Sequence, residues 1–156
     1  MNNRMCASIL LIGIALLAYS QTDNAIPDSL KSFSSHLEFL GYSVTSASDK
    51  SVSLKHEKFP NEKLLVYNGG VLVSSWWSLS EEGKNSGAEI SQLLNNLNKK
   101  SVVTKYYLDD DGDLDLEAWY PGEYDKARFA LFMAKIQQDW NDDIANFPKE
   151  LQKYLQ

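Results

Sequence analysis

Between Tyr106 and Tyr120 the chain reads YYLDDDGDLDLEAWY, two runs of alternating apolar and polar residues that meet at a single glycine. Alternation of this kind allows a strand pair only in registers that keep each apolar set on one face, because a slip of one residue turns every side chain over. A two-residue turn at Asp111-Gly112 would set Leu108 opposite Asp115 and Tyr106 opposite Glu117, mixing the faces. A three-residue loop, Asp110-Asp111-Gly112, with Gly112 left-handed in a bulge, pairs Leu108 with Leu114, Tyr106 with Leu116, Lys105 with Glu117 and Thr104 with Ala118. Every position is then in phase, so a hairpin with this register is expected.

The six acidic residues of the stretch invite a calcium reading, and their spacing refuses it. Placing Gly112 sixth in an EF-hand loop puts Tyr107 first and Ala118 twelfth, where carboxylates are needed. The acids suit a hairpin tip, which must be wet, must tolerate turn geometry and must resist edge association. No metal and no cofactor is expected.

Around this hairpin the periodicities alternate. Leu30, Phe33, Leu37 and Leu40 follow one helix face, with Pro27 and Asp28 suited to its first turn and Gly41 to its C-terminal stop. Strand patterns follow at Tyr42–Ala47, at Ser51–Glu57, and from Leu64–Tyr67 through the turn signal Asn68-Gly69-Gly70 into Val71–Trp77. Ser86-Gly87-Ala88-Glu89 fits a capping box ahead of Ile90, Leu93, Leu94 and Leu97. Beyond the hairpin a helix is expected from about Glu123, burying Ala127, Ala130, Leu131, Ile136 and Trp140, with a last helical turn starting near Pro148. The order is α-β-β-β-α-β-β-α plus a short helical tail. This is an α+β fold with an antiparallel sheet and its helices mainly on one face.

Adjacent Trp76 and Trp77 must point to opposite faces of such a sheet, one joining Val71 and Val73 in the core and the other lying beside Leu72. Tyr107 shares the polar side of its strand with Lys105. If helices cover one face only, the other mixes aromatic rings with charges, as protein interfaces do. Trp76, Trp77 and Tyr107 are therefore the candidate partner surface. His36, beside the first helix's apolar stripe, and His56, in a strand pattern, have no converging partners and read as structural or solvated.

The first 20 residues read differently from the rest. Asn2-Asn3-Arg4 is a short positive segment, Met5–Tyr19 is an uncharged apolar run, and Ala18 and Ser20 occupy the small-residue positions of a cleavage site. A signal peptide at 1–20, a flexible lead at 21–26 and one domain at 27–156 are expected, with export to the periplasm or beyond and no stable membrane span after cleavage. Cys6 is the chain's single cysteine and lies at the start of the apolar run, ahead of the cleavage point, so the mature chain has neither disulfide nor thiol nucleophile. The net charge of −6 becomes −7 when Arg4 is removed, and the lone basic doublet Lys99-Lys100 has no arginine neighbours. Such a surface repels phosphate backbones, so nucleic acid is not an expected partner.

The run from Asn95 to Trp140, with NKK, YLDDDGDLDLEA and the helix that follows, resembles the bacterial YbjN-type family, whose fold is similar to type III secretion chaperones. The resemblance is sharpest over about a third of the chain, and the element order extends it over nearly all of the mature domain. It implies a protein-binding or chaperone-like module that pairs with itself or holds client segments, and brings no catalytic residues with it. The family is usually cytoplasmic, so a signal peptide is a departure from its pattern. The residues themselves offer no nucleophile elbow, phosphate loop or metalloprotease motif. A non-enzymatic, exported protein-binding module is the leading expectation. The alternative is a small-ligand protein or hydrolase whose site is assembled from dispersed acidic and aromatic residues.

Overall fold

The computed structural model describes residues 25–145, 151 and 153–155; the signal-peptide reading, most of the lead and the start of the tail at Pro148 lie outside the described residues. Helix α1 (Asp28–Phe39) opens on the Pro27 carbonyl, which accepts from Leu30 N at 2.8 Å and Lys31 N at 3.1 Å. It stops at Gly41 (φ 99°), where Gly41 N donates to Glu38 O and Tyr42 N to Leu37 O, satisfying two orphan carbonyls. Leu30, Phe33 and Leu37 are buried, whereas Leu40 lies partly exposed past the last turn.

Strands β1 (Ser43–Ala47), β2 (Ser51–Lys55), β3 (Glu62–Tyr67) and β4 (Gly70–Trp77) form a meander, and the third strand stretch is a hairpin of two strands turning at Asn68-Gly69, both at positive φ. A short helix α2 (Glu81–Asn85) leads into α3 (Gly87–Asn98), then β5 (Lys105–Leu108), β6 (Leu114–Pro121) and α4 (Lys126–Ala145). The sheet is antiparallel with order β1-β2-β3-β4-β6-β5. The α+β order and the one-sided placement of helices are as the sequence predicts.

Hairpin β5–β6 has the expected register: Lys105 pairs with Glu117, Tyr106 with Leu116 and Leu108 with Leu114, and Gly112 sits at φ 77°. Asp109 N donates to Asp113 O at 2.9 Å, closing the loop Asp110-Asp111-Gly112. Thr104 does not extend the ladder to Ala118, because its N–H and hydroxyl both turn to Asp139 on α4.

Three local expectations are corrected. Ser86 does not close a capping box: it ends α2 and starts α3 at φ −104°, ψ 26°, without a side-chain cap, while Glu89 accepts instead from Tyr154 Oη at 3.0 Å. Ser80 is the residue that caps, accepting from Gly83 N. On α4 the buried face is Phe129, Met133 and Ile136, with Phe132 and Trp140 packed against the core; Ala127, Ala130 and Leu131 face out. His56 lies past the end of β2, where its Nδ1 accepts from Lys58 N and Phe59 N.

Core residues line up in cross-strand rows on one face: Val52, Leu64, Val73 and Ala118 in one, and Leu54, Ser75, Leu116 and Tyr106 in the next. Helices α1, α3 and α4 pack on this side. The tail closes one corner of the same layer, with Leu151 and Tyr154 buried and Leu155 bridging to Leu79.

Candidate functional site

The opposite face of the sheet carries no helix among the described residues, and its composition follows from the same registers. Leu65, Leu72 and Trp119 form one row across β3, β4 and β6; Lys63, Ser74, Glu117 and Lys105 form the next; Trp76, Asp115 and Tyr107 form the third. Two aromatic patches thus flank a charged stripe. Positions 72 and 76 are four residues apart on β4, so the patches are separated by roughly 13 Å at the usual strand rise.

Each patch is held by its own contacts. Trp119, 45% exposed, donates from Nε1 to Tyr67 O at 3.2 Å, which lays the indole over the β3–β4 turn beside half-exposed Tyr67. Gly70 makes room for it, since a Cβ there would stand 2.9 Å from that nitrogen and 2.1 Å from Tyr120 O. In the other patch, Trp76 is 51% exposed opposite Asp115, and Lys105 Nζ lies 4.3 Å from the Tyr107 ring centroid. Lys105 also reaches Glu117 at 3.9 Å.

Around Tyr107 the neighbouring carboxylates set the local electrostatics. Partial burial, reinforced by the Glu117 and Asp115 carboxylates, pushes the Tyr107 hydroxyl above its usual range, so it stays a proton donor. Asp115 is pushed up mainly by burial, with the charges of Asp109, Glu117 and Asp113 adding and its hydrogen bond to Tyr107 opposing.

Of the three residues expected at a partner surface, Trp76 and Tyr107 share this face on either side of Asp115. Trp77 lies on the core side, stacked on Trp140 with ring centroids 4.7 Å apart and planes 7° from parallel. Trp119, Tyr67, Leu65 and Leu72 belong to the face as well. Their signal in the sequence is alternation itself: in a strand with a buried Leu116-Ala118-Tyr120 set, Trp119 must point outward.

Two acids of the hairpin tip, Asp109 and Asp113, are engaged locally. Asp109 Oδ1 accepts from Asp111 N and Asp113 N, and Asp113 accepts from Leu79 N at 3.0 Å and pairs with Lys84 at 3.2 Å. His36 is buried against Phe129 and bonds Tyr124 Oη at 2.9 Å; burial first, then the nearby Lys126 charge, holds it below its usual range. It borders a groove of about 610 Å³ between α1 and α4, lined by Phe39, Leu40, Ala130 and the stems of Lys31 and Lys126, with no carboxylate among its described lining residues. Among the described residues, no helix is long and apolar enough to cross a membrane.

No family model matches the chain, and no curated protein matches it. Among solved structures, it is similar to YbjN from E. coli, a protein provisionally described as a transcription regulator, with a TM-score of 0.63 and 17% sequence identity over 81% of this chain and 95% of that one. At that identity the likeness speaks for architecture: the chain has a YbjN-type α+β fold.

Proposed function

We propose that the chain is a non-enzymatic, exported, chaperone-like module that holds non-native polypeptide on the helix-free face of its sheet. One observation carries this reading: the aromatic patches at Trp119 and Trp76 lie on a single open face with the stripe Lys63, Ser74, Glu117 and Lys105 between them. An obligate dimer buries a core depleted of charge, so a face that carries Lys63, Lys105, Asp115 and Glu117 fits a reversible partner better than a permanent second copy. An extended segment lying along the strands would set apolar residues four positions apart on the two patches and its backbone over the polar stripe. A net charge of −6 disfavours a nucleic-acid partner. A hydrolytic site needs converging groups in a cleft, whereas the small cavity at Glu62 offers a single carboxylate and about 10 Å³, roughly one water.

The test is suppression of aggregation of thermally unfolded citrate synthase by the domain at 21–156. Wild type and Leu131→Ser, altered on the helical side where Leu131 is 65% exposed, should suppress aggregation equally. Trp76→Ser combined with Trp119→Ser should lose most of the effect. Equal suppression by all three, or none by wild type, would remove the reading.

A further inference from the structure

Glu62 opens β3 on the core side of the sheet, opposite Leu54 on β2, and is only 3% exposed. Ser75 Oγ on β4 donates to its Oε2 at 3.0 Å. The carboxyl faces a small, partly enclosed cavity bounded by Tyr42, Pro60, Leu116 and, from α4, Ile136, Gln137 and Trp140. The Tyr42 oxygen completes no hydrogen bond there, although Gln137 approaches it. No cation lines the cavity among the described residues. Lys63 and Lys55 lie on the opposite face of the sheet by strand alternation, and Asp139 of α4 spends its carboxylate on Val102–Thr104. His56 packs against the Tyr42 ring with centroids 4.7 Å apart and planes tilted by 52°, and uses Nδ1 to accept from Lys58 N and Phe59 N.

We propose that Glu62 is a proton-gated latch on the seam between the sheet and α4: the neutral carboxyl lets the seam close, and loss of its proton opens the seam at Trp140. A carboxylate with one hydroxyl donor and no cation is costly to bury, and the nearest relief is water entering beside Gln137. Trp140 both bounds the cavity and stacks on Trp77, so opening the seam breaks that stack. Tyr42 does not compete, since burial first and the Glu62 charge second push its hydroxyl above its usual range. Burial, opposed by the Ser75 hydrogen bond, raises Glu62 from 4.5 to about 8. Across that window the folded chain keeps a proton that the unfolded chain has released. The folding constant therefore falls as pH rises, about tenfold per unit, and levels off above about 8.

The experiment follows the near-ultraviolet circular dichroism of the stacked indoles and the urea midpoint from pH 5 to 9 in wild type, Glu62→Gln and Ser75→Ala. In wild type the Trp77–Trp140 signal should disappear with a midpoint near pH 8, while Glu62→Gln keeps it throughout with a flat urea midpoint. Ser75→Ala, which removes the donor favouring the charge, should shift the loss to higher pH. That shift decides the matter if Glu62→Gln fails to fold. A wild-type signal unchanged to pH 9, identical titrations in wild type and Glu62→Gln, or an unshifted Ser75→Ala would overturn the proposal.

Discussion

Replacing Asp139 with alanine should bring the domain close to its limit of stability. Its Oδ2 accepts from Val102 N and Val103 N at 2.9 Å each, from Thr104 N at 3.2 Å and from Thr104 Oγ1 at 3.1 Å. The side chain is 6% exposed, and the Thr104 bonds are buried. In Asp139→Ala the Val102 and Val103 amides, nearer the surface, can turn to water, but the two Thr104 donors cannot. At about 1–3 kcal/mol for each of these two buried donors left unmet, the loss is about 2–6 kcal/mol, a large part of the roughly 5–15 kcal/mol that holds such a domain together. Asp139→Asn keeps one oxygen in place without the charge and should cost about 1–2 kcal/mol. Urea unfolding followed by tryptophan fluorescence measures both. An alanine variant within about 1 kcal/mol of wild type would refute the assignment of this carboxylate as the tie between α4 and the segment that starts β5.

At the hairpin tip, Gly112→Val should cost on the order of 1–2 kcal/mol because its φ of 77° is unfavourable for a branched residue. Asp110→Asn and Asp111→Asn should leave the urea midpoint nearly unchanged, and calcium should not raise the melting temperature of any of these proteins. Gly70→Ala should be more damaging, about 3 kcal/mol or more by chemical denaturation, since its Cβ would press on Tyr120 O and displace Trp119 from the Tyr67 carbonyl. Expressed with its first 20 residues in an exporting bacterium, the chain should yield a mature protein beginning at Gln21; intact mass showing Met1 retained in the membrane fraction would contradict this.

Legibility in the sequence tracked the range of the interaction. The β5–β6 register followed from alternation and one Asp-Gly step, and the Trp76/Trp77 split followed from strand geometry, so both could be read from neighbours in the chain. Thr104 was misplaced because the group that takes it from the ladder, Asp139, lies 35 residues away. Ser86 matches a capping pattern, but α2 delivers the chain to it outside the extended conformation usual for a capping serine, and a five-residue helix has too little periodicity to be seen. On α4, Ala127, Ala130 and Leu131 offered one helical stripe, while Phe129, Phe132, Met133 and Ile136 offered another through larger side chains. Buried area decides between such stripes, and the aromatic one wins by packing onto Phe33 and Tyr120. The open face was half legible: alternation places Trp76 and Tyr107 outward, but the rows that join them to Trp119 and Leu72 depend on strand order, and the insertion of β6 between β4 and β5 is not encoded locally.

The most direct measurement is site-specific photo-crosslinking to thermally unfolded citrate synthase, with the photoreactive residue placed in turn at positions 76, 119 and 131. Crosslinks from 76 and 119, with little from 131, are the expected result, because the first two stand on the helix-free sheet face and the third lies on the helical side although it is more exposed than either. Crosslinking from 131 that equals or exceeds that from 76 and 119 would contradict the assignment of the open face as the binding surface.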